Sequence, residues 1–267
     1  MSDRRPLRET MLPVAGCPLV IALLSELHDA PIDGVAASLS RRKPDVICVT
    51  GDYINAKRRP ETDVVANCAH VLPFFRLCAS AAPTFVSLGN HEWMLTDDDI
   101  ACIEATGAVV LRDRFVRHRN VCFGGLTSSI FTHYRREVVD AGLGAQFPYP
   151  AAAGITTRRT PELDWLEAFA SAPGYHILLC HHPEYFPLYL RDRNIELTLS
   201  GHAHGGQIRL FGHGLYAPGQ GLFPKLTGGV YEGRLAVSRG LANTSLVPRL
   251  FNPPEMVYIT PAAPGYP

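Results

Sequence analysis

Side chains that could bind a metal ion follow five short apolar runs of this 267-residue sequence. The runs cover residues 19–24, 45–50, 84–88, 175–180 and 195–200. The polar residues that follow them are Glu26, His28, Asp52, Asn90, His91, His181, His202 and His204. A set of carboxylate, imidazole and amide ligands without a thiolate favours manganese, iron or zinc over the soft metals. The pattern therefore predicts a metal site built from loops that are far apart in the sequence.

The number of these side chains favours two metal ions over one. Every member except His91 is a candidate ligand, and such a set suits two ions that share a bridging carboxylate. Two metals about 3.5–4 Å apart can bind the attacking and leaving oxygens of a phosphoryl displacement and generate hydroxide near neutral pH. Singly, Asp52 also fits a turn, Asn90 a left-handed turn residue and His181 a buried histidine. Their joint placement after strands favours the metal site.

The elements that position these residues are predicted from the hydrophobic pattern. The apolar runs lack a polar alternation, which indicates strands buried on both faces. Helical patterns lie between several of them, over residues 31–43, 61–80, 97–106 and 161–171. A kink is expected at Pro73 within the second of these. Strands that alternate with helices indicate a mainly parallel sheet.

The loops at the carboxyl ends of parallel strands meet at one edge of their sheet, where ligands bind. We therefore expect the polar residues to lie together at that edge. Glu26 and His28 are spaced i, i+2, as are His202 and His204, so in an extended backbone each pair points to one side. After residue 205, short strands between glycine and proline turns predict a β-rich region.

The length favours a single domain over residues 1–267. Residues 1–18 are interpreted as an N-terminal extension. Residues 126–160 are the least periodic part of the chain and are interpreted as an irregular insertion near the active site.

Composition excludes several classes of partner and location. Twenty-five basic and 25 acidic residues give a net charge of zero, which argues against binding to a nucleic-acid duplex. Seven cysteines without a CxxC pair favour free thiols, a reducing compartment and hence the cytoplasm. The uncharged stretch from Met11 to Ser25 is too short to cross a membrane and is interrupted by two prolines. We therefore predict no transmembrane segment.

The order of the motifs resembles that of the calcineurin-like metallophosphoesterases. The motifs are E26-L-H28, G51-D52, G89-N90-H91-E92, H181 and G201-H202-A-H204. The continuation G201-H-A-H-G-G-Q207 is similar to the bacterial branch with the GHxHGGQ motif. The resemblance implies an α/β fold, a four-layer α-β-β-α sandwich in which helices flank two mixed sheets.

The resemblance also implies a role for each residue. The first metal would be held by Glu26, His28, Asp52 and His204. The second would be held by Asp52, Asn90, His181 and His202. Asp52 would bridge the two ions, and His91 would stabilise the phosphoryl group or protonate the leaving oxygen. Substrate would contact Asn90, His91 and His202. Beside these residues, Glu92 would orient His91 or cap a helix, and His182 would point away from the site in a supporting role.

Glu26 departs from the family pattern, which has aspartate at this position. The additional methylene moves the carboxylate by roughly 1–1.5 Å. Three outcomes are open: the site shifts and still functions, the first metal binds weakly, or the specificity changes. Because the other positions match, we expect the site to form.

These observations predict a metal-dependent phosphoesterase, and the branch resemblance favours a phosphodiesterase. The substrate would be a small phosphodiester or a phospholipid-like molecule, attacked by a metal-activated hydroxide, and peripheral contact with a membrane is left open. One alternative is a metal-stabilised binding or regulatory domain whose catalysis is impaired by Glu26. Another is a metal hydrolase that acts on carboxylic substrates.

Overall fold

Two mixed six-stranded sheets form the centre of the protein. The computed structural model describes residues 6–31, 33–55, 63–128, 142–143, 161–243 and 247–263. The first sheet contains β1 (Arg8–Ala15), β2 (Ile21–Leu24), β3 (Val46–Thr50), β4 (Thr84–Ser87), β5 (Val109–Leu111) and β16 (Glu255–Ala262). The second contains β6 (Arg114–His118), β7 (Val121–Leu126), β8 (Tyr175–Cys180), β9 (Leu197–Ser200), β14 (Gly229–Tyr231) and β15 (Leu235–Val237). Two short ribbons pair β10 (Arg209–Leu210) with β11 (His213–Gly214) and β12 (Tyr216–Ala217) with β13 (Gly221–Leu222).

The strands that precede the predicted ligands are parallel within each sheet. In the first sheet β2, β3, β4 and β5 run parallel in that spatial order. In the second sheet β7, β8 and β9 also run parallel. All five predicted strands are present. The segment interpreted as an N-terminal extension contributes β1, which pairs along its whole length with β16.

Alternate side chains of these strands form different layers of the core. Ile21 and Leu23 of β2 pack in the cluster that also holds Ile177 and Leu179 of β8, so this core lies between the two sheets. Ala22 and Leu24 point the other way, into a cluster with residues of the helices. Both faces of the strand are therefore buried, as the unbroken apolar runs predicted. The fold is the predicted α-β-β-α sandwich.

The helices are shorter than the periodicity predicted. They are α1 (Val35–Arg42), α2 (Val71–Ala81), α3 (Asp97–Glu104) and α4 (Trp165–Ser171). The predicted helix over 61–80 begins only at Val71, because loop amides preceding it bind side chains from other elements. The amides of Ala69 and His70 donate to the Asp29 carboxylate at 3.2 and 2.7 Å. Pro73 consequently lies in the first turn of α2, where its missing N–H breaks no intrahelical bond and no kink is required.

The C-terminal third is rich in short strands, as predicted, and it completes both sheets. β15 adds to the second sheet parallel to β9, whereas β16 inserts into the first sheet between β1 and β2. A π-helical turn covers Phe186–Leu190, and a 3-10 turn covers His204–Gly206. Most of the segment 126–160 lies outside the described residues. None of the helices in the described ranges is long and apolar enough to cross a bilayer.

Candidate metal centre

The loops after β2, β3, β4, β8 and β9 meet at one end of the sandwich. Three of these strands belong to the first sheet and two to the second, so the ligands do not share the edge of one sheet as we expected. The loops contact each other directly: the amide of Glu26 donates to Gly51 O at 3.2 Å, and that of Gly201 donates to His181 O at 3.0 Å. His181 Nδ1 lies 2.7 Å from Thr50 O and so joins the two sheets.

Most of the predicted ligands occupy strained backbone conformations. A left-handed φ occurs at Glu26 (58°), His28 (49°), Asp52 (54°), His202 (60°) and His204 (45°). The extended backbone expected for the i, i+2 pairs is therefore wrong. Such conformations cost about 1–3 kcal/mol each and are concentrated at functional sites. Here they turn successive side chains toward a common centre.

Glu26, His28 and His204 form the first ligand group. Glu26 Oε2 lies 3.0 Å from His28 Nε2 and 2.9 Å from His204 Nε2. The other carboxylate oxygen, Oε1, accepts the His202 amide at 2.6 Å. The two histidines are oriented through their Nδ1 atoms, which lie near the backbone oxygens of Ile54 and Ala242 at 3.2 and 3.3 Å. All three side chains are buried.

Asp52, His181 and His202 form the second ligand group, and Asn90 lies beside it. His181 Nε2 is 3.4 Å from Asp52 Oδ2, 3.0 Å from Asn90 Oδ1 and 3.2 Å from His202 Nδ1. His202 Nε2 is buried and has no hydrogen-bond partner among the described residues. The pair His202/His204 is therefore divided between the two groups, contrary to the expectation that both point to one side.

Asp52 lies between the two groups, close to His91. Its Oδ2 atom is 3.4 Å from His181 Nε2, 4.0 Å from His28 Nε2 and 3.8 Å from His91 Nε2. Its Oδ1 atom accepts the amide of His91 at 2.9 Å. His91 packs edge-to-face on His28 with ring centres 4.6 Å apart, and its side chain is 15% exposed. The candidate ligand atoms form three groups whose members lie within 4.8 Å of one another, and the third group is His28, Asp52 and His91.

Burial and charge set the protonation of the centre. Burial opposes ionisation of Glu26, but His204 and His181 outweigh it and hold the pKa of this carboxyl well below its ordinary value. Burial alone would lower the pKa of His181. The negative charges of Asp52 and Glu26 outweigh burial and raise this pKa to about 10. His181 thus carries a proton between two carboxylates when no metal is bound. A metal ion at this position would displace that proton.

The pKa values of His91 and His202 are lowered, in contrast to that of His181. Burial lowers the pKa of His91 to about 4 against the attraction of Asp52. Burial and the neighbouring His182 and His181 hold the pKa of His202 well below its ordinary value. Both rings are neutral near pH 7, and a neutral imidazole is the form that binds a metal.

Glu92 binds backbone amides of two loops, a role that neither interpretation of the sequence gave it. Its buried carboxylate accepts backbone amides from Gly89 and Asp52, each at 2.7 Å. It also accepts those of Tyr53 and Ile54 at 2.8 and 3.0 Å. Glu92 therefore joins the loop that carries Asp52 to the loop that carries Asn90. The sequence pointed to Glu92 only through its place in the G89-N90-H91-E92 motif.

His182 was expected to point away from the site, yet its ring contacts a candidate ligand. The ring centres of His182 and His202 are 4.0 Å apart, and His182 Nδ1 is hydrogen-bonded to Ser128 Oγ. On its other side the ring stacks on Tyr185 at 5.0 Å. This buried stack holds the His202 ring in place.

Gly240 leaves room for the side chain of Glu26. A Cβ at Gly240 would lie 2.5 Å from Glu26 Cβ and Cγ, and the glycine has φ +82°. The amides of the next two residues, Leu241 and Ala242, donate to Ser25 O and Glu26 O at 3.0 and 2.8 Å. The carboxylate thereby reaches both histidines of its group. No local pattern connects positions 26 and 240, and sequence analysis missed this residue.

Comparison with known proteins shows which family the chain resembles. The family model described as calcineurin-like phosphoesterase matches residues 19–206, a span that contains all eight residues of the predicted site.

The sequence is similar to several bacterial proteins over most of its length. The uncharacterized protein YpbG of Bacillus subtilis is 26% identical over 92% of this chain and 82% of its own length. The UDP-2,3-diacylglucosamine pyrophosphatase LpxG of Chlamydia trachomatis is 27% identical over 89% of this chain and 82% of its own length. The phosphodiesterase YaeI of Escherichia coli is 25% identical over 72% of this chain and 63% of its own length.

Proposed function

Because the chain belongs to the calcineurin-like phosphoesterase family, we propose that it hydrolyses phosphodiesters at a centre of two metal ions. The observation that carries the proposal is that Glu26, His28 and His204 form one potential ligand group beside a second that contains Asp52, His181 and His202. The relatives named as a phosphodiesterase and as a pyrophosphatase support a substrate in which the phosphorus is joined to two groups. Small phosphodiesters and phospholipid-like diesters both belong to this class.

The residues present fit such a centre. The donors are carboxylate and imidazole atoms, which suit manganese, iron or zinc. His202 Nε2 is buried without a hydrogen-bond partner in the described ranges, and a cation would supply one. The first ion would be held by Glu26, His28, Asp52 and His204. The second would be held by Asp52, Asn90, His181 and His202. When bound, the ions polarise the phosphoryl oxygens and acidify water.

The other side chains position the substrate beside these ligands. A neutral His91 donates a hydrogen bond to a phosphoryl oxygen or the leaving oxygen from its partly exposed position. Asn90 and His202 border the same space. Glu92 holds the loops of Asp52 and Asn90 at a fixed separation, because its carboxylate accepts four hydrogen bonds from their backbone amides. The preorganised centre then needs little rearrangement when charge develops on the phosphoryl group.

The test uses manganese-loaded protein with bis-p-nitrophenyl phosphate, in the presence and absence of a chelator. We expect the chelator to abolish turnover of the diester. Release of p-nitrophenolate from the monoester p-nitrophenyl phosphate should be much slower. His91→Ala should lower kcat about 100–1,000-fold while two metal ions per chain remain bound.

Three results would contradict the proposal. Two bound metals without turnover of any diester would favour the binding or regulatory domain. Faster cleavage of p-nitrophenyl acetate than of the diester would favour a hydrolase of carboxylic substrates. Turnover that survives the chelator would exclude a metal centre.

A further inference from the structure

A surface cleft of about 430 Å³ combines cationic with exposed apolar side chains. Its cations are Arg8, Arg209 and Arg239, and its large apolar side chains are Leu210, Phe211 and Phe251. None of these residues belongs to the proposed metal centre. Arg8, Phe211 and Phe251 are exposed at the cleft, whereas the side chains of Arg209 and Arg239 are largely buried.

The apolar side chains of the cleft are unusually exposed. Phe211 is 98% exposed and Phe251 78%, while Leu210 and the neighbouring Leu250 are each more than two-fifths exposed. A cluster of this kind marks a surface that binds another apolar surface. The two phenylalanines stabilise the fold little by burial, since most of their surface remains exposed to water.

Both phenylalanines also have a left-handed backbone conformation, which is unfavourable for a bulky side chain. Phe211 has φ 50° and Phe251 has φ 53°, in the left-handed region where glycine or asparagine costs less. The two phenylalanines therefore gain little burial in the fold and occupy an unfavourable backbone conformation.

The two turns are joined into one rigid unit. Phe211 lies at the tip of the β10–β11 ribbon, and the amide of Arg209 in β10 donates to Leu250 O at 3.0 Å. The Arg209 side chain donates to Gly205 O at 2.7 Å and to Thr227 Oγ1 at 3.1 Å. The aromatic tips therefore keep a fixed position relative to the arginines.

Positive charge in the cleft exceeds negative charge. Arg8, Arg209 and Arg239 line the same cleft, where their positive charges repel one another, and none of the described residues that line it is a carboxylate. In the described ranges, Glu255 is the sole carboxylate that forms an ion pair with any of them, 3.6 Å from Arg239 Nε. An anionic partner would relieve this repulsion.

We propose that the cleft docks the protein on an anionic lipid bilayer. Phe211 and Phe251 would enter the interfacial region, where aromatic rings bind favourably, and the exposed Arg8 would contact a lipid phosphate. Exposed aromatic tips beside an excess of positive charge match an anionic bilayer, in which the acyl chains lie beneath negatively charged headgroups. The proposal goes beyond the phosphoesterase activity, and it holds whether or not the metal centre is catalytic.

Vesicle sedimentation of the full chain tests the proposal. We expect binding to vesicles of phosphatidylcholine with about 30% phosphatidylglycerol, and little binding to phosphatidylcholine alone. Phe211→Ser with Phe251→Ser should weaken binding by at least about tenfold. Arg8→Gln should weaken it about fivefold. All these positions are exposed, so thermal unfolding should not change.

Matched controls come from residues outside the cleft. Phe223 is also exposed (70%) with φ 53°, but it does not line the cleft, so Phe223→Ser should retain full binding. Arg117→Gln on β6 should likewise have no effect. Equal losses in these controls would overturn the assignment to this cleft.

Two further outcomes would also refute the proposal. Absence of binding to the anionic vesicles is the first. The second is a dimer, detected by light scattering, that the double phenylalanine variant dissociates while vesicle binding is unchanged. Inorganic phosphate at millimolar concentration should not displace the protein from the anionic vesicles. Complete displacement by phosphate would indicate that the ligand is a soluble anion.

Discussion

The two ligand groups of the candidate metal centre differ in how well they are satisfied without a cation. In the first group the Glu26 carboxylate lies between two histidines, at 3.0 and 2.9 Å. In the second group ring nitrogens face each other: His181 Nε2 and His202 Nδ1 are 3.2 Å apart. His202 also keeps a buried Nε2 without a hydrogen-bond partner within the described part of the chain.

This difference teaches that the groups are stabilised by different means. Glu26 makes the first group a closed hydrogen-bonded unit. The second depends on its surroundings: Glu92 fixes the Asp52 loop, and His182 packs on His202. Loss of metal should therefore disturb the second group more than the first. Asp52 belongs to the second group and lies 4.0 Å from His28 of the first, so its removal should affect both groups.

Asp52→Asn is expected to have the largest effect. The amide keeps the shape but removes the negative charge that both groups share. Turnover should fall at least about a thousandfold, and elemental analysis should find fewer than two metals per chain. Asp98→Asn, at an exposed position in the first turn of α3, is the control and should remain active. A D52N protein with two metals and normal turnover would show that Asp52 does not link the groups.

Glu92→Gln should affect the second group more strongly than the first. The glutamine amide cannot accept all four backbone N–H groups, so the metal-free protein should lose roughly 2–4 kcal/mol of stability in urea unfolding. Metal titration should show one of the two sites weakened about 10–100-fold. Glu167→Gln, exposed on α4, should change neither quantity. Equal weakening of both sites would contradict the division into two groups.

Glu26→Asp should weaken only the first group. The shorter side chain retracts the carboxylate from His28 and His204, and we expect one metal site to weaken about tenfold while the other is unchanged. Gly240→Ala should cause a similar loss at that site, since its Cβ would lie 2.5 Å from Glu26. Calorimetric titration with manganese distinguishes the sites. An aspartate variant that is fully loaded but inactive would show that the position of Glu26 matters for more than metal binding.

The smallest expected effect concerns Glu184, which is buried in the segment after β8. Burial raises the pKa of Glu184 to about 7, above its ordinary value of 4.5. The unfolded chain ionises first as the pH rises, so this group's contribution to stability is complete below about pH 4.5 and is lost as the pH rises through 7. Glu184→Gln should flatten the decline of unfolding free energy between about pH 5 and 7 by roughly 1–3 kcal/mol. A decline of unchanged slope would assign the pH dependence to other groups.

Much of the centre followed from local sequence. Buried strands were recognised from unbroken apolar runs, and the ligand types from the residues after them. Helix α2 shows where local patterns failed, because the loop before Val71 is held by Asp29, a residue about 40 positions earlier. No window of the sequence contains both partners.

By itself, the sequence determined which side chains are available and that each follows a strand, since hydrophobic periodicity and residue type are local properties. The tertiary structure alone decided that two sheets, not one, bring them together, and that His202 and His204 join different groups. It also decided that Gly240 makes room for Glu26. These features depend on contacts between distant segments and on left-handed backbone that only the packed loops stabilise.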